Sequence, residues 1–463
     1  MITLKLKYEA SDEAKAFILQ CRRHYSSALR FAYNRAVEGW NGKQIRDAIK
    51  FELNNVGLMD SFMAACIEQD ATAKCKSVRE SDNPDAKYIF GGRRNFIRRC
   101  KGLITKEAFD DKRLSPLLAV GEANLKANRK FAINEDLKSI LFKINKNNHH
   151  QLNLIGVYGK RKQILSKLYE LQCAKATPIT YKLDGEYVYL SFDETKVEHH
   201  KRDNVIANRV MAIDMNPNYI GWSIVDWKGE NEFTVVRQGV FSVKPINDIA
   251  KSLSKSKTDS SDPKKIYIDN KRVHETYEVS KKLIRICLHY RCEMFAIEEL
   301  DIRTKDFGRG RNYNRLTNNN WCRNSLELNL QKRCNIFDIK FVKVASNYSS
   351  FVGNFVFRGL NLPDMVLASI EIGRRGYEYN LQYIEKKKDI KRNIVFPDYE
   401  AYKASISKSL EEFGLDDGTS LLDVYEALKK SGTRYRLSFE QCNTRFSRCF
   451  SKASLILKNL NGF

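Results

Sequence analysis

Three apolar runs follow one another with only short breaks: VIANRVMAIDMN (205–216), YIGWSIVDWKGE (219–230) and NEFTVVRQGVFSVK (231–244). Each reads as a strand, with Asn216-Pro217 and Lys228-Gly229 as turn formers between them. Three such strands in a row suit an antiparallel meander. The polar stretch SKSKTDSSDPKK (254–265) then reads as a solvated loop, a helix is expected to end at Tyr290, and MFAIEEL (294–300) returns as a strand. Helix to strand is the crossover unit of a parallel pair. A Gly-, Asn- and Arg-rich loop (303–320) leads to a helix expected over 321–338, a strand KFVKVAS (340–346) and a last helix from Pro363.

The N-terminal part differs. ITLKLKY (2–8) alternates apolar and polar residues as a half-buried strand does, and Ser11-Asp12-Glu13 is a helix start. From 12 to 175 the pattern reads as helical and unusually basic. PITYKLDGEYVYLSFDE (178–194) returns to alternation around Asp184-Gly185, a hairpin signal, and these strands can pair with the first to form a small barrel with the helical region inserted. The chain after 380 holds a Lys-rich joint, EKKKDIKR (385–392), and further helices, and no internal repeat is visible.

At 463 residues the chain exceeds what one hydrophobic core serves, and its 43% hydrophobic and 29% charged residues are an ordinary globular balance. Two or three domains are expected. The net charge of +24, from 80 Lys and Arg against 56 Asp and Glu, is spread along the chain, and a polyanion is its natural partner. No run approaches the roughly 20 apolar residues of a spanning helix, and MITLKLKYEA has no apolar signal core. The expectation is a cytoplasmic, nucleoid-associated protein, neither membrane-bound nor secreted. None of the 11 cysteines forms a C-x-x-C pair; the nearest approaches are Cys287 with Cys292 and Cys442 with Cys449. They read as reduced thiols, and no zinc is expected.

Asp214 ends an apolar strand just before a turn, so its carboxylate is expected at the strand's C-terminal edge. Glu298 also stands at a strand end, and alternation sends its neighbour Glu299 to the other face. If Ala296 and Glu298 share a face, Phe295 and Ile297 pack on the opposite one. Asp364 follows Pro363 at a helix N-terminus, with Ala368 and Ser369 small enough for close sheet packing. Singly these are a turn cap, a strand-end glutamate and a dipole-offsetting aspartate. Jointly they are the hard oxygen ligands that two Mg²⁺ ions need, with Mn²⁺ able to substitute.

Two basic clusters are candidates for nucleic-acid contact. Arg22, Arg23, Arg30 and Arg35 share a helix with Tyr25, Phe31 and Tyr33, where Phe17, Cys21, Ala28 and Phe31 are expected to form the buried stripe and the arginines to face out. Arg93, Arg94, Arg98 and Arg99 follow Gly91-Gly92, whose bare backbone permits close approach of a polyanion.

Three segments, AIDMNPNYIGWSIVD, FAIEEL and PDMVLASIEIGRRG, resemble in order the three RuvC motifs of the superfamily that joins TnpB to the compact type V CRISPR effectors. VKVASNYSS is similar to the stretch leading to that family's "YTS" element, and HYSSALRFAYNRA and FGGRRNFIRR to its recognition-lobe sequences. The resemblance spans most of residues 1–380. It implies a multidomain α/β and α+β protein: an RNase H-like (RuvC) nuclease domain with a β-barrel wedge and an inserted helical recognition lobe. The expected division is wedge strands at 1–10 and 176–204, recognition lobe at 11–175, RuvC parts at 205–302 and 323–380, a lid-like loop at 303–322 and a helical region at 381–463.

The implied activity is RNA-guided DNA cleavage by Asp214, Glu298 and Asp364, with a guide RNA and double-stranded DNA as partners, in a monomer or homodimer. A short flanking DNA motif is read by protein. Gly308, Arg309, Gly310 and Arg311 fall where the family's lid lies, the glycines permitting motion. The sequence departs from the family in one respect: SNYSSFVGNFVFRGLNLPD, between the "YTS" position and the third motif, carries no cysteine where many relatives have a four-cysteine knuckle. A noncleaving RNA-guided repressor and an RNase H-like transposase or resolvase are the alternatives.

Overall fold

The computed structural model describes residues 1–54, 60–79, 87–144, 148–229, 232–242, 263–300, 323–386 and 420–431. The chain divides into two compact units, Met1–Glu198 and His199–Phe463.

The first unit opens with β1 (Ile2–Glu9), followed by five helices, α1 (Asp12–Val37), α2 (Gly42–Asn54), α3 (Ser61–Arg79), α4 (Arg93–Cys100) and α5 (Lys106–Lys112). Ser11 caps α1 through the Ala14 amide, as its sequence anticipates. Four strands come next: β2 (Leu117–Ala119), β3 (Phe131–Ile133), β4 (Ser139–Lys143) and β5 (His149–Ile155). Helix α6 (Gly159–Cys173), the hairpin β6 (Thr180–Leu183) and β7 (Tyr187–Phe192), and the short α7 (Glu194–Val197) complete the unit. The sheet runs β2-β6-β7-β1-β5-β4-β3, with every neighbour antiparallel, and β1 pairs with the hairpin as expected.

Two expectations need correction. Residues 11–175 are not a helical block, because 117–155 supplies four strands. These strands are three to seven residues long, and each buries alternate side chains: Leu117 and Ala119, Phe131 and Ile133, Ile140 and Phe142, and Leu152. The buried stripe of α1 is also rotated. It runs Ala14, Ile18, Cys21, Tyr25, Leu29, Ala32, Tyr33 and Ala36, whereas Phe31 is 36% exposed. One residue turns a helix by about 100°, so Ile18, Leu29 and Ala32 take the places assigned to Phe17, Ala28 and Phe31.

The second unit holds the expected meander, β8 (Ile206–Met215), β9 (Tyr219–Trp227) and β10 (Phe233–Ser242). Helix α8 (Pro263–His289) crosses over to β11 (Cys292–Glu299), and α9 (Arg323–Ile336) crosses over to β12 (Lys340–Ala345). Helices α10 (Ser349–Val356), α11 (Asp364–Lys386) and α12 (Leu421–Ser431) follow. The sheet order is β10-β9-β8-β11-β12, with β11 parallel to both β8 and β12. A meander extended by two parallel crossovers is a mixed α/β sheet of the RNase H-like kind.

Both faces of this sheet are covered. Met211, Ile213, Phe295 and Ile297 pack toward residues of α8 and α9, while Val210, Ala212, Met294 and Ala296 pack with α10 and α11. Burial on two sides explains the near-continuous apolar runs of β8 and β11. No helix among the described residues is long and apolar enough to cross a membrane.

Candidate active site

Asp214 and Glu298 stand level on neighbouring strands. Parallel β8 and β11 pair Ala212 with Ala296 and Ile213 with Ile297, so the next residues on each strand are the two acids, at a spacing of about 4.8 Å between strands. Their parity is that of Ala212 and Ala296, which places them on the α11 face, and each is only 5% exposed. Phe295 and Ile297 pack on the other face and Glu299 is exposed, as alternation requires.

Asp364 is the first residue of α11, whose Val366 and Leu367 amides donate to the Pro363 carbonyl. Gly221 brings this helix end to the sheet. It lies opposite Asp214 in the β8–β9 ladder, and a Cβ there would stand 2.3 Å from the Met365 carbonyl oxygen. Higher up, the Ser369 hydroxyl donates to Ser223 Oγ of β9 at 2.8 Å or to the Val366 carbonyl at 2.7 Å, and both serine side chains are fully buried. All three acids thus occupy one side of one sheet, at the C-terminal ends of β8 and β11.

Each acid accepts from a neutral donor. Asn216 Nδ2 donates to Asp214 Oδ2 at 2.6 Å, the Ser349 hydroxyl donates to Glu298 Oε1, and Asn354 Nδ2 donates to Asp364 Oδ1. Burial raises the Glu298 carboxyl from 4.5 to about 7, although the Ser349 bond and the Arg375 charge work against the rise. Behind it, Arg375 donates to Glu371 at 2.7 Å and to the carbonyls of Ala345 and Asn347 at 2.6 and 2.7 Å. Arg374 pairs with Glu371 and Glu378. Burial opposes ionisation of Glu371, but the two guanidinium groups outweigh it and hold its carboxyl below the usual range.

The donor set suits a hard divalent cation: three carboxylates, which accept from two asparagine amides and a serine hydroxyl. Among the described residues no three His, Cys, Asp or Glu side chains converge closely enough to hold one ion.

Of these groups the sequence pointed to the three acids and missed their supports. By sequence Asn216 is a turn former and nothing more. The one sequence signal is that Ser349 falls within VKVASNYSS, and the structure adds φ +64° at Tyr348 and Gly353, where a Cβ would meet the Leu367 carbonyl at 2.5 Å.

The basic clusters separate. Arg93, Arg94, Arg98 and Arg99 are all exposed on α4, which buries none of its residues. On α1 only Arg23 is exposed. Arg22 reaches the Ser115 and Leu114 carbonyls at 3.4 and 3.5 Å, and burial lowers its pKa. Arg30 is likewise lowered by burial and then by Arg113, while Arg35 pairs with Glu38 at 2.7 Å and lies over Phe31 and Trp40. Gly308, Arg309, Gly310 and Arg311 lie outside the described residues, as do Cys322, Cys442 and Cys449. The described cysteines are free thiols.

No protein-family model matches the chain, and no curated protein matches it. Among solved structures it is similar to a Cas12f1–sgRNA–target DNA complex, with 12% identity and TM-score 0.42 over 78% of this chain and 82% of that one. It is similar to Thermus thermophilus RuvC, with 11% identity and TM-score 0.24 over 37% and 96%. A Cas12i–crRNA–dsDNA complex matches with 10% identity and TM-score 0.27 over 84% and 66%. These neighbours are type V effectors and RuvC. Overlap of this degree carries no argument about activity, which has to rest on the acids themselves.

Proposed function

We propose that the chain is an RNA-guided DNA endonuclease that cuts phosphodiesters at a single RuvC-type site formed by Asp214, Glu298 and Asp364. The observation that carries this reading is the pair of acids level on adjacent parallel strands, with the N-terminus of α11 held against the same sheet through Gly221. Burying two carboxylates side by side is expensive unless something cationic joins them. Asp214, Glu298 and Asp364 would hold two Mg²⁺ or Mn²⁺ ions, which would supply Lewis acidity for phosphodiester hydrolysis. The chain's own part is to fix the acids: β8 and β11 set the spacing of Asp214 and Glu298, and α11 presents Asp364.

The exposed arginines of α4 and the +24 charge support a nucleic-acid partner. In this reading the Met1–Glu198 unit carries the wedge and recognition functions, grips guide RNA and heteroduplex by shape and charge, and reads a short flanking motif in double-stranded DNA.

The test is Asp214→Ala with the guide RNA that copurifies from the native locus. Cleavage should fall by more than about 10³-fold while target binding holds, since the acid acts in the transition state. Retained cutting overturns the site. An RNA-free preparation that cuts fully points to a transposase or resolvase, and wild-type binding without any cutting points to a repressor.

A further inference from the structure

Helix α10 touches two of the acids through side chains to which the sequence pattern assigned no role. Its first residue, Ser349, bonds Glu298, and Asn354, five positions on, bonds Asp364. One eight-residue helix therefore spans a strand end and a helix start that are 66 residues apart in sequence (364 − 298).

We propose that Ser349 and Asn354 are positioning residues, a bracket on α10 that sets the orientation of Glu298 and Asp364 for a divalent cation. This inference rests on the nuclease reading above. Four observations carry it. Tyr348 adopts the left-handed conformation at φ +64°, which is uncommon for a bulky residue and clusters at functional sites. That turn starts α10 with Ser349 facing Glu298. Arg375, itself buried, ties the preceding loop down by bonding the Ala345 and Asn347 carbonyls, so the turn is held from α11 as well. Gly353 lets α10 approach the α11 backbone closely enough for the next residue to reach Asp364.

The two donors differ in kind. Asn354 is fully buried, and its amide nitrogen also donates to the Ser350 carbonyl at 2.7 Å, so two N–H groups have two acceptors and the amide is fixed. Ser349 has one hydroxyl proton and two acceptors, Glu298 and the Ser346 carbonyl at 3.0 Å. It is the adjustable donor and Asn354 the rigid one. Removing outer supports of this kind typically weakens metal affinity or activity by about 10–100-fold.

The experiment measures Mn²⁺ binding to the full-length chain by electron paramagnetic resonance, without nucleic acid, for wild type, Glu298→Gln, Asn354→Ala, Ser349→Ala and Ser349→Thr. Thermal unfolding of each variant confirms folding. Asn354→Ala should weaken Mn²⁺ at least about tenfold and Ser349→Ala several-fold, while Ser349→Thr, which keeps the hydroxyl, should stay near wild type. If wild type binds Mn²⁺, Glu298→Gln loses it and both alanine variants bind as wild type does, the bracket is wrong and the nuclease reading stands. If Ser349→Thr falls as far as Ser349→Ala, Ser349 acts by packing and the bracket is overturned there. A wild type that binds no Mn²⁺ removes the nuclease reading and the bracket with it.

Discussion

Among the described residues of the Met1–Glu198 unit, every buried charged side chain pairs with a group that water reaches. Glu68 pairs with Arg46, Lys130 with Asp60 and Glu194 with the N-terminal amine, and the side chains of those partners are 41%, 49% and 68% exposed. In the His199–Phe463 unit, behind the acids, an ion-pair network is enclosed: Arg374 with Glu371 and Glu378, and Arg375 with Glu371, all with side chains no more than 8% exposed. An enclosed network of that kind is poor value for stability alone, since apolar residues of similar volume often do as well or better. Its position suggests what it is for. Arg375 holds the loop from which Ser349 meets Glu298, so the second unit keeps charge inside where its acids have to be held.

Breaking this contrast gives the largest expected effect. Arg374→Met leaves Glu371 and Glu378 buried without their main partner and should destabilise the second unit by about 3–5 kcal/mol. Lys130→Met strands Asp60, which water can reach, and the Ile144 carbonyl, and should cost less, about 2 kcal/mol. Urea unfolding followed by far-UV circular dichroism measures both losses, and the fluorescence of Trp222 and Trp227, both buried in the second unit, assigns the loss in Arg374→Met to that unit. Equal losses would erase the distinction.

The second effect is in pH. Glu298 is raised from 4.5 to about 7, so between those values the metal-free folded chain binds more protons than the unfolded one. Stability is therefore greatest below about pH 4.5 as far as this group is concerned, falls as pH rises toward 7, and is level above it. The fall amounts to roughly 3 kcal/mol if the whole shift is expressed. Glu298→Gln should remove it, and Mn²⁺, which requires the carboxylate, should bind more tightly as pH rises through about 7. A metal-free stability profile unchanged by Glu298→Gln would rule out the burial argument.

Two glycines sharpen the comparison by separating close approach from backbone strain. Gly221 of the second unit would place a Cβ 2.3 Å from the Met365 carbonyl, and Gly221→Ala should lose about 3 kcal/mol as α11 is pushed off β9. Gly92 of the first unit has φ +85° but open space around it, so Gly92→Ala should lose about 2 kcal/mol from conformation alone. Thermal unfolding of each variant measures the difference.

The same contrast governs what could be read from sequence. β8, β9 and β11 are long, continuous and bounded by turns, because a sheet covered on both faces needs unbroken apolar runs, and their order located Asp214 and Glu298. β2 and β3 are three residues each and get their pairing from distant strands, which no local period can announce. The turn of α1 was missed for a related reason: Phe31 and Ala32 are both apolar, and only the neighbouring helices decide which one faces in. Ser349 and Asn354 were illegible because their role depends on a left-handed turn and a helix contact at Gly353. Short polar residues in a short helix carry no such information by themselves.

The smallest effect concerns the two arginine sets within the first unit. Arg98 and Arg99 are exposed on a helix with no buried residue, whereas Arg22 is spent on the Ser115 and Leu114 carbonyls. A phosphate contact shows itself in salt dependence, each one adding about 0.7–0.9 to the slope of log affinity against log salt. The double variant Arg98→Ala, Arg99→Ala should thus lower that slope by about 1 to 2, weaken binding at low salt and leave folding alone. Arg22→Ala should do the reverse, lowering thermal stability with the slope unchanged. Should Arg22→Ala flatten the salt dependence while the α4 variant does not, the polyanion follows α1, and the half-buried arginines rather than the exposed ones form its track.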